Sequence, residues 1–317
     1  MGLRTPAALL LAVLVLGSCS LTEITTASAE DMVVVEALFQ RRDDLGLAPS
    51  RILVFLHRTV QGAEGLNEPV DGARVRVARE DGTVIEVTPA RVDECVASTP
   101  LEGTGSCYVS TPEEARAIQP GERLELTVRT PQGEVMEGTS VVPGGFSLAT
   151  AADGGICHVE PDDPLEVMWS VSDGAWSYLN EIAIAGLPDA LPDLVELEIP
   201  DPLVLLGLSV SATDTTIVVP SEFGIIDRFD LDQPLALALQ EGLPAGSQAT
   251  VGITAVDRNY VNWIRGGNFN PSGQVRVSSV RGDGTGFFGS GVMRSFRIRT
   301  DGAGEPCLRF HEGGPGG

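Results

Sequence analysis

Hydrophobic and polar residues alternate in short segments from residue 33 onward, and clusters of Gly, Pro, Asp and Asn separate these segments. Val75 and Val77 alternate with arginines in GARVRVARE, and an Asp-Gly turn leads from there into EDGTVIEV, which predicts a β-hairpin. Two leucines and a valine alternate with polar residues in ERLELTVRT in the same way. About seven such strands in roughly 110 residues are typical of an immunoglobulin-like β-sandwich, which we predict for residues 33–143.

Short strands continue after the turn-rich VPGG at 142–145, but their pattern is less regular. LEVMWSV, GQVRVSSV and VMRSFRIRT alternate, and SDG turns the first of them into AWSYLNEIAIAG. DRNYVNWIRGG predicts one short helix with Asp257 as its N-cap and glycines at its end. The segment 186–235 has no clean period and predicts a loop with short strand pieces. We therefore predict an all-β chain in which a second, irregular β-rich domain with one short helix spans 146–312, before a disordered tail at 313–317.

The N-terminus combines one basic residue, Arg4, with the apolar run PAALLLAVLVLG, which is shorter than the roughly 20 residues of a membrane-spanning helix. This order predicts a signal peptide over residues 1–18. The following Leu16-Gly17-Ser18-Cys19 resembles the lipobox of bacterial lipoproteins, in which the cysteine is lipidated and becomes the mature N-terminus. We predict lipidation at Cys19. The alternative is an ordinary secretory signal with an incidental cysteine.

The residue after Cys19 is Ser20 rather than the aspartate that often retains bacterial lipoproteins at the inner membrane, so the resemblance implies an outer-membrane anchor. Residues 19–32 are small and polar, which predicts a flexible tether between the lipid and the first domain. The sequence does not indicate on which side of the outer membrane the domains lie.

The net charge of -23 disfavours nucleic acid and anionic membrane surfaces as partners, because both carry phosphates that such a chain repels. Every basic residue among the 21 is an arginine, so Schiff-base chemistry and the lysine of a P-loop are excluded. With no other cofactor motif in the sequence, we predict that the chain binds no cofactor.

Four cysteines remain once Cys19 is assigned to lipid, an even number as expected in an oxidising compartment. Cys95 and Cys107 flank a turn-rich loop and are predicted to close it as a disulfide. Cys157 and Cys307 then pair by elimination, near the two ends of the predicted second domain.

Two metal sites compete with simpler interpretations. His158 and His311 lie near the second pair of cysteines, so a tetrahedral zinc site is an alternative to a disulfide, although the usual C-x2-C spacing is missing. Asp227, Asp230 and Asp232 could bind calcium, but the sequence lacks the glycine and terminal glutamate of an EF-hand. We predict a disulfide in the first case, a solvated acidic turn in the second, and no metal.

RGDGTGFFGSG, at 281–291, contains both an Arg-Gly-Asp triplet and the G-x-G-x-x-G spacing of nucleotide-binding loops. A dinucleotide site needs a helix after its glycines, whereas a predicted strand follows here. We predict that the segment is a turn between two strands, in which the glycines supply positive φ angles.

No G-x-S-x-G or H-E-x-x-H motif accompanies the three histidines, His57, His158 and His311, so we predict no catalytic residues. Trp176 and Tyr178 flank a turn and form a possible ligand contact by stacking on a sugar. Trp169 and Trp263 are predicted to pack in the core.

NFNPSGQVRVSSVRGDGTGFFGSGV resembles the closing motif of a family of exported bacterial lipoproteins that carry a domain of unknown function, DUF4249, and are often encoded beside TonB-dependent outer-membrane receptors. VVVEALF, PVDGARVRVARED and QPGERLELTVRTPQGEVMEGTSVVP also agree with that family. The resemblance implies architecture more than chemistry, and it brings no catalytic residues. It does imply a TonB-dependent receptor as a partner.

These observations lead to two expectations about function. The first is a non-enzymatic, outer-membrane-anchored lipoprotein that acts as an accessory or binding component of an envelope transport complex. The alternative is a stand-alone lipoprotein that binds carbohydrate or peptide through its loops.

Overall fold

The structure is a computed structural model that describes residues 31–42, 49–59, 68–96, 105–194, 199–223, 233–265, 277–302 and 304–308. The predicted signal peptide, Cys19, the tether up to residue 30 and the C-terminal tail lie outside these ranges. Residues from Asp31 onward form one compact unit. In the described ranges, no helix is long and apolar enough to cross a membrane.

The described residues of the first half of the chain form seven strands, as the alternating pattern predicts. They are β1 (Val33–Arg42), β2 (Arg51–Arg58), β3 (Arg74–Arg79), β4 (Val84–Ala90), β5 (Ser106–Val109), β6 (Arg123–Arg129) and β7 (Val135–Val141), with the short helices α1 (Val92–Val96) and α2 (Pro112–Ala117) between them. β3 and β4 form the predicted hairpin, with Val75 opposite Val87.

The second half is also rich in strands. They are β8 (Ile156–His158), β9 (Leu165–Met168), β10 (Ser177–Ala185), β11 (Leu203–Leu208), β12 (Thr216–Val219), β13 (Gln248–Val256), β14 (Val280–Gly282) and β15 (Gly284–Arg299). The helices are α3 (Leu187–Ala190), a 3-10 turn (Pro192–Leu194), α4 (Gln233–Ala238) and α5 (Arg258–Arg265). The fold is all-β, as predicted, and α5 is the predicted helix.

Most of the strands form one hydrogen-bonded ladder, in the order β11-β10-β13-β15-β1-β2-β5-β4-β3-β6-β7-β14. β4 changes partner along its length, pairing with β3 over residues 84–87 and with β5 over residues 88–90. The ladder therefore folds over on itself, and the side chains of its two layers share one hydrophobic core.

β15 connects the two halves of the chain. Its residues Gly284–Met293 pair in parallel with β1, and its residues Gly291–Arg299 pair antiparallel with β13. The preceding strand, β14, pairs with β7. Strands from the C-terminal end of the sequence thus complete the N-terminal sandwich, and this pairing crosses the boundary predicted at 143–146.

The burial of individual strands follows the predicted alternation closely in β3 and β6, where the valines and leucines are buried and the residues between them are at least partly exposed. Phe296 and Ile298 of β15 are fully buried, as predicted. The alternation of LEVMWSV and GQVRVSSV predicts that Val171 and Val277 point inward, and both predictions are wrong: Val171 is 58% exposed and Val277 is 62% exposed. Both lie beyond the strand ends, where no ladder fixes the alternation of side chains.

The SDG turn joins β9 to β10 along the chain, but the two strands do not pair: β9 pairs with β12, while β10 lies between β11 and β13. Two expectations about the second half need correction. Within 186–235, predicted as loop with strand pieces, the described residues form α3, the 3-10 turn, β11, β12 and the start of α4. The second half also has two helices, α3 and α4, besides the predicted one. α3 has four residues and α4 has six, which is too short for sequence periodicity to distinguish them from loop.

Candidate functional site

A polar cleft of about 560 Å³ lies between β7, β14 and the first turns of α5. It brings together arginines from three separate parts of the sequence. The residues that line it are Arg123, Glu137, Gly138, Thr139, Arg258, Asn259, Asn262, Val277, Ser278, Ser279 and Arg281.

α5 is fixed beside the cleft by hydrogen bonds from its first turn. Asp257 caps the helix, because its Oδ1 accepts a hydrogen bond from the backbone N–H of Tyr260 at 3.0 Å. The Asn259 side-chain amide donates to the carbonyl of Thr139 at 2.7 Å and to that of Phe288 at 2.9 Å. These bonds tie α5 to both β7 and β15, and so determine where Arg258 lies.

The other two arginines lie on strands. Arg281 is in β14, directly across the ladder from Glu137 of β7. Arg123 begins β6, across from Val141 at the end of β7. The cleft is therefore built on paired strands on one side and a capped helix on the other, a rigid arrangement that can hold side chains in place.

Two arginines of the cleft, Arg258 and Arg281, lack, within the described part of the chain, the carboxylate partners that Arg58 and Arg79 have. Arg58 and Arg79 each have a carboxylate at 3.0 Å or closer. Arg258 instead lies over the ring of Trp176, at 5.2 Å from its centroid. In the part of the chain that the structure describes, no carboxylate lies within ion-pair distance of Arg258 or Arg281.

The hydroxyl groups beside the arginines are already bonded to the backbone. Ser278 Oγ lies 2.8 Å from the carbonyl oxygen of Val280 and 2.9 Å from that of Gly286, either of which can accept its proton, and Ser279 Oγ accepts from the N–H of Phe288. Among the described residues that line the cleft there is no histidine or cysteine. The cleft therefore offers cationic donors and amide groups, which suit binding, rather than a nucleophile paired with a base.

A buried hydrogen-bond chain lies behind the cleft. Asp257 is 6% exposed, and its Oδ2 accepts from Ser140 Oγ at 2.8 Å, which itself lies 2.7 Å from Ser290 Oγ. Ser290 Oγ donates to the carbonyl of Val141. Burial raises the pKa of Asp257 to about 6, although the hydrogen bonds it accepts act in the opposite direction.

Tyr178, predicted as a possible ligand contact, is fully buried, and that prediction is wrong. Its hydroxyl accepts from the N–H of Ser172 at 2.8 Å, and its ring packs edge-on against Phe146 and Trp169. Trp176, two residues earlier in the sequence, lies just before β10 and is 47% exposed. Of the two residues predicted as a ligand contact, only Trp176 is therefore accessible to a ligand.

The other two tryptophans pack against the protein. Trp169 is 4% exposed, as predicted for a core residue. Trp263, on α5, is partly buried and stacks on Phe287 with 5.0 Å between ring centroids. Trp176 is therefore the most exposed indole of the three.

The Arg-Gly-Asp triplet leads into the corner between β14 and β15: Arg281 and Gly282 end β14, and Asp283 connects the two strands. Asp283 Oδ2 accepts from the N–H of Val135 at 2.9 Å, and the Asp283 N–H donates to the Val135 carbonyl at 3.0 Å. Gly282 has a φ of +110°, and a Cβ there would overlap the Val135 carbonyl oxygen. The aspartate is thus used within the fold.

The glycines of the G-x-G-x-x-G spacing do not form the predicted turn. Gly284, Gly286 and Gly289 all lie within β15 itself. Gly286 has a φ of +129°, and a Cβ there would overlap the carbonyl oxygen of Val35 in β1. The first two glycines let β15 approach β1 closely, and the third makes room for Tyr260 of α5.

Both predicted disulfides are confirmed, Cys95–Cys107 and Cys157–Cys307. The second bridge uses the sulfurs that the zinc alternative needs. His158 Nδ1 lies 3.0 Å from the Arg299 carbonyl, and His57 Nδ1 lies 2.9 Å from the Arg58 carbonyl.

Among the described residues, no group of three or more His, Cys, Asp or Glu side chains could hold a metal ion. His311 and the three aspartates of the calcium alternative, Asp227, Asp230 and Asp232, lie outside the described ranges.

Comparison with known proteins finds no matching protein-family model and no matching curated protein. Among solved structures, a DUF4785 family protein from Legionella pneumophila is similar at 9% identity, with a TM-score of 0.18, over 70% of this chain and 51% of that one. The FN1–FN3 domains of chicken CNTN1 are similar at 9% identity, with a TM-score of 0.20, over 70% of this chain and 62% of theirs. The alignments span about half to three fifths of these two proteins, and such TM-scores carry no argument about function.

Proposed function

We propose that this chain is a non-enzymatic lipoprotein, anchored in the outer membrane through Cys19, that acts as a binding component of an envelope transport complex. The observation that carries the binding role is the arginine-lined cleft, whose described side chains offer hydrogen-bond donors and positive charge and include no nucleophile paired with a base. The lipobox and the polar segment 19–32 support the anchor. A TonB-dependent receptor as the partner rests on the family resemblance alone.

The test is an affinity pull-down of the full lipidated chain, tagged at its C-terminus, from detergent-extracted membranes of its own host. Cys19→Ala is the matched control, since it removes the lipid attachment site and leaves the folded domain unchanged. We expect a β-barrel receptor to co-purify with the wild-type chain and to be lost with the control. Recovery of the wild-type chain alone would contradict the transport role.

A stand-alone carbohydrate- or peptide-binding lipoprotein remains a second candidate, favoured by the exposure of Trp176. An exposed indole ring can stack on the face of a sugar. Glycan-array binding that disappears in Trp176→Ala would support this candidate. Array binding that survives the substitution would contradict a role for Trp176.

A further inference from the structure

We propose that the cleft between β7, β14 and α5 binds a small polar ligand through a carboxylate or phosphate group, which Arg258 and Arg281 hold. This inference deepens the binding role proposed above and rests on it. The supporting observations are the pairing state of the arginines, the other groups of the cleft, and its size.

Among the described residues, two arginines of the cleft lack a partner that is common elsewhere in the chain. The chain has 44 acidic residues against 21 arginines, so carboxylates are abundant, and Arg58 and Arg79 lie against them. Arg258 and Arg281 line the cleft together with Glu137, but no carboxylate among the described residues lies within ion-pair distance of either guanidinium. Arg123, at the cleft edge, has only an exposed 3.4 Å contact with Glu125. An oxyanion from outside the chain would supply the partner that the chain itself does not.

The chemistry of the donors sets the class of ligand. A guanidinium group presents two parallel N–H donors that match the oxygens of a carboxylate or a phosphate. Asn262 adds an amide, and Glu137 adds an acceptor for a hydroxyl or ammonium group on the same ligand. Val277 is the one large apolar side chain among the described residues of the lining, so a hydrophobic ligand has little to contact.

The size of the cleft limits the ligand. Its volume of about 560 Å³ lies within the range of roughly 300–1,000 Å³ that is usual for small-molecule sites. A compact anion such as a hydroxy acid or a phosphorylated sugar fits this volume, whereas a long polymer would extend beyond the cleft.

Trp176 provides a direct readout of the site. Arg258 lies over its ring, so an oxyanion that draws the guanidinium into the cleft changes the surroundings of that indole. The other two tryptophans are buried or stacked on Phe287, and they are less exposed to such a change. We expect ligand binding to alter tryptophan fluorescence, and Trp176→Phe to remove most of the signal.

The experiment is titration of the full chain, purified in detergent, by calorimetry and fluorescence at physiological ionic strength. Citrate tests for carboxylate, inorganic phosphate tests for phosphate, and glucose serves as the uncharged probe. We expect citrate or phosphate to bind, glucose not to bind, and Arg281→Gln to weaken binding at least tenfold because a charge-assisted pair is lost. The preference between the two anions identifies the source of the oxyanion.

The matched control is Arg129→Gln. Arg129 lies on the same strand and the same side of that strand as Arg123, about 20 Å farther along β6. It removes the same charge outside the cleft, so it should leave affinity within a factor of two. Arg258→Gln provides a second cleft variant, should Arg281→Gln lose its folded circular dichroism spectrum.

Two results would overturn the inference. One is that neither citrate nor phosphate binds at millimolar concentration. The other is that Arg129→Gln weakens binding as much as the cleft variants, which would mean general attraction to the surface. The titrations use the purified chain alone, so they test the ligand site even if the pull-down recovers no receptor. Failure of the transport role and failure of the ligand site are therefore distinguishable.

Discussion

Replacing Asp257 by Asn tests whether the buried carboxyl behind the cleft costs stability at neutral pH. Asn is as good an N-cap as Asp, so the hydrogen bond from the Tyr260 N–H can be kept. The new amide N–H can donate to Ser140 Oγ, which now lies 2.8 Å from the carboxylate oxygen. The substitution therefore removes the buried charge and keeps the hydrogen-bond chain.

The expected magnitude follows from the pKa of Asp257. It is about 6 in the folded protein, because of burial, and about 3.9 in an unfolded chain. The folded state therefore keeps its proton to higher pH than the unfolded state, and wild-type stability falls as pH rises between about 4 and 6. At pH 7.5 the buried charge costs about 3 kcal/mol.

The assay is urea unfolding of both proteins at pH 4.5 and pH 7.5. We expect the variant to be the more stable at pH 7.5, and its advantage to shrink by about 2 kcal/mol at pH 4.5, where wild-type Asp257 is protonated when folded. An advantage that is independent of pH, or larger in acid, would refute the reasoning.

Asp81→Asn is the control of opposite sign. Asp81 is exposed, and a hydrogen bond from the Thr83 backbone N–H lowers its pKa, with a smaller contribution from Arg79. Its folded pKa is depressed, so its contribution to stability is present at neutral pH and lost in acid. This variant should therefore lose stability relative to wild type as pH rises.

Other substitutions test strand β15, the two disulfides and the exposed indole of Trp176. Gly286→Ala should destabilise the fold by several kcal/mol, because the new Cβ would overlap β1. Gly133→Ala is the control: Gly133 also has a positive φ but faces open space, so the substitution should cost about 1–2 kcal/mol. Equal melting temperatures for the two variants would contradict this. Serine at both cysteines of the 157–307 bridge should cost about 5 kcal/mol in urea unfolding, against about 3 for the 95–107 bridge, because it closes a loop of 150 rather than 12 residues. Trp176→Ala should leave the melting temperature nearly unchanged, since the ring is 47% exposed, and a large loss would show a packing role instead.

The candidate site shows why sequence patterns were insufficient to find it. Arg123, Arg258 and Arg281 are far apart in the sequence, and none belongs to a motif with fixed spacing. Arg281 drew attention only through the Arg-Gly-Asp triplet, whose aspartate is hydrogen-bonded to β7. An isolated arginine in a strand or at a helix start carries no signal of its own, because its significance depends on which charges the fold brings near it.

The domain arrangement shows the same difference between local and long-range information. Alternation predicts β6 and β15 correctly, because each side chain's direction depends only on its neighbours along the strand. It cannot predict that β15 pairs in parallel with β1 across almost the entire sequence. The regular first half therefore suggested a contiguous domain, although its sandwich is completed by the C-terminal strands.

The sequence by itself determined the all-β class, the seven N-terminal strands, the capped helix α5 and both disulfides. These features depend on local periodicity, capping chemistry and a small even number of cysteines. Only the tertiary structure decided that Tyr178 is buried while Trp176 is exposed, and that glycines of β15 allow the close approach of β1. It also brought Arg258 and Arg281 into one cleft, where neither has a carboxylate within ion-pair distance among the described residues. The physical reason is that burial, close backbone approach and charge pairing are relations between segments distant in sequence, and only the folded chain brings those segments together.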